Sequence, residues 1–227
     1  MTESQQPEIN REAISAMRRS YGEIGLSESA AHENPIVQFQ SWLRDAASNS
    51  MIVEANAMVL STMSESGPSS RTVLLKDVTN DGFTFFTNYS SRKAQEISGN
   101  TSVSLLFPWY PIERQVIITG VATKVSESAS TDYFASRPWS SQVGAWASNQ
   151  SAELDSRETL EKRWQEIAAK YPEGTSVPKP PQWGGFLVTP SVIEFWQGRY
   201  SRLHDRLRYT LDEARAHSNW KLQRIFP

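Results

Sequence analysis

Arg71-Thr-Val-Leu-Leu-Lys-Asp-Val-Thr-Asn-Asp-Gly-Phe-Thr-Phe-Phe-Thr87 is the stretch on which the fold turns. Two runs rich in β-branched, aliphatic and aromatic residues, Thr72 to Val78 and Phe83 to Thr87, flank Asn80-Asp81-Gly82, and that order is a hairpin signal. Working outward, runs of the same kind cover Ala57 to Met63, Val103 to Phe107 and Val116 to Val125, with Ser66-Gly67-Pro68 as another turn. Gly120 inside a strand pattern points to a bulge or a close backbone approach. Strand character returns at Gly185 to Val188, Val192 to Trp196, Ser201 to Tyr209 and Trp220 to Ile225, after the proline-rich connector Val177 to Pro181. Strands joined by hairpins imply an antiparallel sheet or barrel.

Helical spacing interrupts the strands. Ile36, Phe39, Trp42 and Leu43 follow Pro35, a residue suited to a first helical position. Further helices are expected over Ser91 to Ile97, Ser128 to Arg137 and Ser156 to Tyr171, the last with Leu160, Trp164, Ile167 and Ala168 on one face. The fold class expected is therefore mainly β with flanking helices. One domain spans 35–227, and the polar residues 1–34 form a mobile arm that carries the basic and aromatic island Met17 to Gly22.

Bulk properties remove several classes of function. The chain has 227 residues, with 23 basic against 25 acidic side chains and a net charge of −2, so no basic excess exists for nucleic acid or an anionic membrane. Cysteine is absent, which removes disulfides and thiolate chemistry and fits a reducing, cytoplasmic setting. His32, His204 and His217 form no metal-ligand spacing, so no metal is expected. No apolar run approaches the length of a membrane span.

Four constellations could carry chemistry. Arg71 and Lys76 bracket a strand; an odd separation puts them on opposite faces unless the strand bulges or ends between them, and two solvated charges are the simpler alternative. Asn88-Tyr-Ser-Ser-Arg-Lys-Ala94 opens a helix with Arg92 and Lys93 where the macrodipole disfavours cations. A bound anion would resolve that conflict, cradled by Ser90, Ser91 and the free N–H groups; an exposed, slightly unfavourable helix start is the alternative. Tyr133 and Arg137 share a helix face, and Pro138 ends the helix so that Ser141 can fold back, giving either a second anion site or a surface stacking pair. At strand period Arg202, His204 and Arg206 would share one face, which either meets an anionic or electron-rich ligand or is an exposed cationic strand face. Trp196, just before that run, could flank a planar ring.

These pieces resemble the pyridoxamine/pyridoxine 5′-phosphate oxidase family. The resemblance runs from about Arg18 to Pro227 and rests on Arg71 to Lys76, Phe86-Thr-Asn88 with Ser91-Arg-Lys93, Leu105 to Trp109, Glu113 to Val116, Ser136-Arg-Pro138 with Ser141-Gln142, Gly144-Ala-Trp146, Gln150-Ser151, Trp183-Gly-Gly185, Glu194 to Gly198 and Arg202-Leu-His-Asp-Arg206. It implies an FMN-binding split antiparallel β-barrel that works as a homodimer, with FMN between subunits. It also implies oxidation of pyridoxine or pyridoxamine 5′-phosphate at C4′, with dioxygen as the final acceptor. The implied FMN ligands are Arg71, Lys76, Phe86, Thr87, Ser91, Arg92, Lys93, Gln115, Gln150, Ser151, Trp196 and Arg206. For substrate they are Lys76, Tyr133, Arg137 and Ser141 at the phosphate, with Arg202 and His204 as the catalytic pair over the ring and Arg18 and Tyr21 in a segment that closes over the site. Two positions depart from the family pattern: Phe86 stands where many members carry Tyr, and Arg199-Tyr200-Ser201 replaces a Gly- and Glu-bearing stretch. The rival readings are a split-barrel flavoprotein acting on another substrate and a non-catalytic FMN or pyridoxal phosphate carrier; the second phosphate pocket speaks against the carrier.

Overall fold

The computed structural model describes residues 11–17, 20–212 and 220–227. A short helix α1 (Arg11–Ala16) precedes α2 (Pro35–Ser48), and the strands β1 (Ala57–Ser64), β2 (Gly67–Thr79) and β3 (Gly82–Asn88) follow. Next come α3 (Arg92–Gly99), β4 (Ser102–Trp109), β5 (Arg114–Lys124), α4 (Glu127–Ala135), α5 (Trp139–Ala147) and α6 (Arg157–Lys170). The long β6 (Trp183–Gln197), β7 (Asp205–Leu211) and β8 (Trp220–Arg224) complete the described elements. Among the described residues no helix is long and apolar enough to cross a membrane.

All pairings are antiparallel, in the order β3-β2-β1-β4-β5-β6-β7-β8, and β3 also pairs with β6. That extra pairing closes β1 to β6 into a barrel and leaves β7 and β8 as an extension from one half of β6. The mainly β reading with flanking helices is the architecture observed. Asn80-Asp81 is the two-residue turn between Thr79 and Gly82, as the opening stretch predicts. Gly82 has φ +142°, and a Cβ there would sit 2.1 Å from the Val188 carbonyl oxygen, so only glycine fits.

β6 serves two surfaces because it bends. Its first half pairs with β3 and its second with β7, and the register with β5 shifts between Thr119 and Gly120, opposite Pro190. A Cβ on Gly120 would lie 2.2 Å from the Thr189 carbonyl oxygen. The extra residue of the bulge is Ser191 on β6, and Gly120 opposite it supplies the close approach.

Asn34 caps α2 by accepting from the Ile36 N–H, and Pro35 takes the first helical position. The helix plugs the barrel: the Phe39 ring lies edge-on to Phe83 and Phe107 at 4.9 and 4.8 Å, and Trp42 meets Phe195 at 5.1 Å. The predicted apolar face of α6 is only half-buried, with Trp164 edge-on to Trp139 of α5 at 5.6 Å.

Residues 20–34 of the N-terminal segment contact the start of β5 and the C-terminal strands. Gly22 N–H donates to Glu113 Oε2 and Leu26 N–H to Asp205 Oδ2, both at 2.9 Å, while Glu28 pairs with Arg224 at 2.7 Å. Arg18, expected at the site, lies outside the described residues.

One expected strand is corrected. Ser201 to Tyr209 does not run as a single strand: Tyr200–Arg202 forms a tight turn with Ser201 and Arg202 at φ 58° and 62°, and β7 begins at Asp205. The Arg199 N–H donates to His204 Nδ1 at 3.0 Å, closing the loop through a side chain. Alternation starts only at Asp205, so Arg202 is not on a shared strand face with His204 and Arg206, and Leu203 is 71% exposed.

Candidate active site

β2 and β3, α4 and α5 with the loop after it, and the start of β6 enclose a cleft of about 650 Å³. Lys76, Phe86, Thr87, Lys93, Tyr133, Arg137, Ser141 and Gln150 all line it, drawn from segments far apart in sequence. Lys76 reaches it on the strand face it shares with Thr72 and Leu74, while Arg71 faces away, so the odd spacing keeps the two cations apart even though the β2–β3 register shifts between Leu75 and Asp77. Thr72, Asn88, Ser136, Ser148 and Trp183 also line the cleft and were not assigned from sequence.

One wall is aromatic. Phe86 stacks on Tyr133 with centroids 4.0 Å apart and on Trp183 at 5.4 Å. The Arg137 guanidinium lies over Trp183, 4.8 Å from its centroid. Burial lowers its pKa, yet arginine stays charged, and Nη1 is buried without a hydrogen-bond partner. A desolvated cation with an unused donor is expensive unless an anion takes that donor. α4 ends at Ala135, short of the helix expected to carry Arg137, and Pro138 is the N-cap of α5, yet Tyr133, Arg137 and Ser141 all line this one cleft.

The start of α3 forms the neighbouring wall. Ser91 is the N-cap but makes no side-chain capping bond, leaving helix N–H groups open. Lys93 donates to Gln150 Oε1 at 2.9 Å and to Thr87 Oγ1 at 3.2 Å, and burial, followed by the charge of Arg71, lowers its pKa. Arg92, Gln150 and Ser151 line an adjoining cleft with Asn88 and Ser90. The Arg71 guanidinium turns the other way, onto Thr62, Ser69 and Glu96. Glu96 was missed from sequence, although its place four residues after Arg92 on a helix was a legible signal.

The remaining predicted residues form a second group. Tyr21, Trp196 and His204 make an aromatic cluster, with Tyr21 edge-on to His204 at 5.3 Å and Trp196 tilted on His204 at 4.7 Å. Gln115 pairs with Trp196 in register, Arg202 precedes the cluster in its turn, and Arg206 pairs with Glu194 at 2.6 Å. None of these residues lines either cleft. Trp183 and Trp196 stand near opposite ends of the 15-residue β6, roughly 40 Å of extended chain at ~3.3 Å per residue before its bend.

Residues 45–171 match the family described as Pyridoxamine 5′-phosphate oxidase, and 183–227 match its Pyridoxine 5′-phosphate oxidase C-terminal dimerisation region. The chain belongs to the pyridoxamine 5′-phosphate oxidase family. Curated family members named pyridoxine/pyridoxamine 5′-phosphate oxidase include one from Streptomyces avermitilis, 47% identical over 93% of this chain and 95% of that one. Another, from Burkholderia thailandensis, is 49% identical over 94% of this chain and 99% of its own. Among solved structures, PhzG from Burkholderia lata in complex with tetrahydrophenazine-1-carboxylic acid superposes with a TM-score of 0.82 at 30% identity, covering 92% of this chain and 100% of that chain. An FMN-binding, pyridoxamine 5′-phosphate oxidase-related protein from Nostoc punctiforme shares the fold, with a TM-score of 0.66 at 15% identity, over 90% of this chain and 100% of that one. The family therefore brings an oxidase reading, a flavin-binding fold and a dimerisation region to the geometry above.

Proposed function

We propose that the protein is a cytoplasmic FMN-dependent oxidase that converts pyridoxine or pyridoxamine 5′-phosphate to pyridoxal 5′-phosphate, reducing dioxygen to hydrogen peroxide. The observation that carries this reading is the buried, unpartnered Nη1 of Arg137, set beside Tyr133, Ser141 and Lys76 in the cleft between β2–β3 and α4–α5. Two cations and two hydroxyls suit a dianionic phosphate ester.

The residues around α3 also fit FMN: the uncapped helix start, Arg92, Lys93, Thr87, Gln150 and Ser151 offer cations and donors to its phosphate. Bound FMN would supply the hydride acceptor and the route to dioxygen. The chain's own residues hold the two phosphates apart, exclude water with the Phe86, Tyr133 and Trp183 wall, and fix the substrate's orientation. The Arg199 N–H bond makes Nδ1 of His204 an acceptor, so the neutral ring carries its proton on Nε2, a donor suited to an electron-rich substrate atom.

In this reading the working unit is a homodimer. Arg202, His204, Trp196 and Arg206 of a second copy complete each cleft, which is consistent with their separation from Arg137 along β6 and with the family's dimerisation region.

A second reading is favoured by the relation to PhzG: a reduced phenazine carboxylic acid as substrate. Anaerobic mixing of the flavin-loaded protein with each compound separates the two. Bleaching of the flavin absorbance by pyridoxine or pyridoxamine 5′-phosphate, and not by a reduced phenazine carboxylate, is expected; bleaching by the phenazine alone would overturn the proposal.

A further inference from the structure

Glu96 lies in the second turn of α3 with its side chain 5% exposed, and both carboxylate oxygens are engaged. Oε2 accepts from Thr62 Oγ1 at 2.5 Å, Ser69 Oγ at 2.7 Å and Arg71 Nη2 at 2.9 Å, while Oε1 accepts from Arg92 Nε at 2.8 Å. Burial alone would raise its pKa, but the hydrogen bonds from Thr62, Ser69, Arg92 and Arg71 outweigh burial and bring it down to about 2. It is a carboxylate at any working pH.

The two arginines differ in what they have left. Arg71 spends its terminal nitrogens on the Leu60 carbonyl, Thr62, Ser69 and Glu96. Arg92 gives Glu96 its Nε, remains 61% exposed, and lines the cleft that holds Gln150 and Ser151. One carboxylate thus fixes guanidiniums from two elements, β2 and α3. Without it, Arg71, Arg92 and the buried Lys93 would repel one another, and Arg92 would regain its rotamer freedom.

We propose that Glu96 is a positioning residue for cofactor recognition: by bracing Arg71 and Arg92 it gives the cleft its preference for a phosphate-bearing flavin over one without phosphate. This deepens the FMN reading and rests on it. The test titrates the full-length protein, freed of flavin, with FMN and with riboflavin, following quenching of flavin fluorescence. Glu96→Gln is expected to weaken FMN by about tenfold or more, the worth of a lost charge-assisted bond, with riboflavin unchanged. Glu96→Asp keeps the charge but is a methylene too short to span both arginines, so it also lowers the FMN-to-riboflavin ratio. Should Glu96→Gln fail to fold, Thr62→Val carries the test, since it removes one hydroxyl that braces both Glu96 and Arg71. A wild-type ratio in Glu96→Asp, equal losses for both flavins in Glu96→Gln, or tighter FMN binding in either variant would overturn the role of Glu96. A wild-type protein that binds neither flavin would overturn the cofactor reading itself, and this proposal with it.

Discussion

At the scale of single residues, His204 is the group whose protonation can be followed most directly. Burial and then the neighbouring charge of Arg202 lower its pKa, and the groups around it are the Arg199 N–H, Trp196 and Tyr21. A histidine harder to protonate when folded binds fewer protons than its unfolded counterpart just below the ordinary histidine value of about 6.5. Stability is then full above that value and falls as the pH drops through it. The expected outcome is that the urea midpoint of the wild type declines between neutral and mildly acid pH, and that His204→Gln declines less over the same range; parallel declines would remove His204 from the account. Residue identities were partly legible. Tyr133, Arg137 and Ser141 could be placed together because they are near in sequence and a proline turns the chain between them, although α4 ends at Ala135, two residues short of the helix expected to carry Arg137. The partner of Arg71 could not, since Glu96 meets it through tertiary packing between β2 and α3.

At the scale of elements, α2 shows how a helix organises a barrel. Phe39 is fully buried and touches rings from β3 and β4. Phe39→Ala should cost about 3–5 kcal/mol, read as a lower denaturant midpoint with an unchanged slope. A loss below about 1 kcal/mol would mean that the barrel mouth can collapse around the gap. Strands with alternating apolar residues and Gly-bearing turns were readable because the period of two is written in the chain. The stretch from Ser201 to His204 was misread for a physical reason: Arg202 and His204 alternate as a strand would, but positive φ at Ser201 and Arg202 and a backbone bond to an imidazole override the pattern. Nothing in propensity announces a non-glycine residue in the left-handed region.

At the scale of the whole molecule, the proposed site is divided between the two ends of β6, which makes subunit mixing informative. Arg137→Ala disables the cleft, and Arg202→Ala disables the group at the other end of the strand. Mixed after reversible dissociation, the two inactive proteins should recover about a quarter of wild-type turnover, because half the dimers are mixed and each of those has one intact site of two. No recovery would show that a single chain holds its whole site. Sequence alone could not separate the two groups, since order along a chain carries no information about which copy a residue serves. The bend in β6 has a further consequence. Gly120 leaves space for no more than hydrogen against Thr189, so the angle between the two halves of that strand is moulded by backbone contact within one chain. A second copy therefore meets a preformed joint: assembly has to align two finished bodies, and the ordering of the hinge is already complete before they touch.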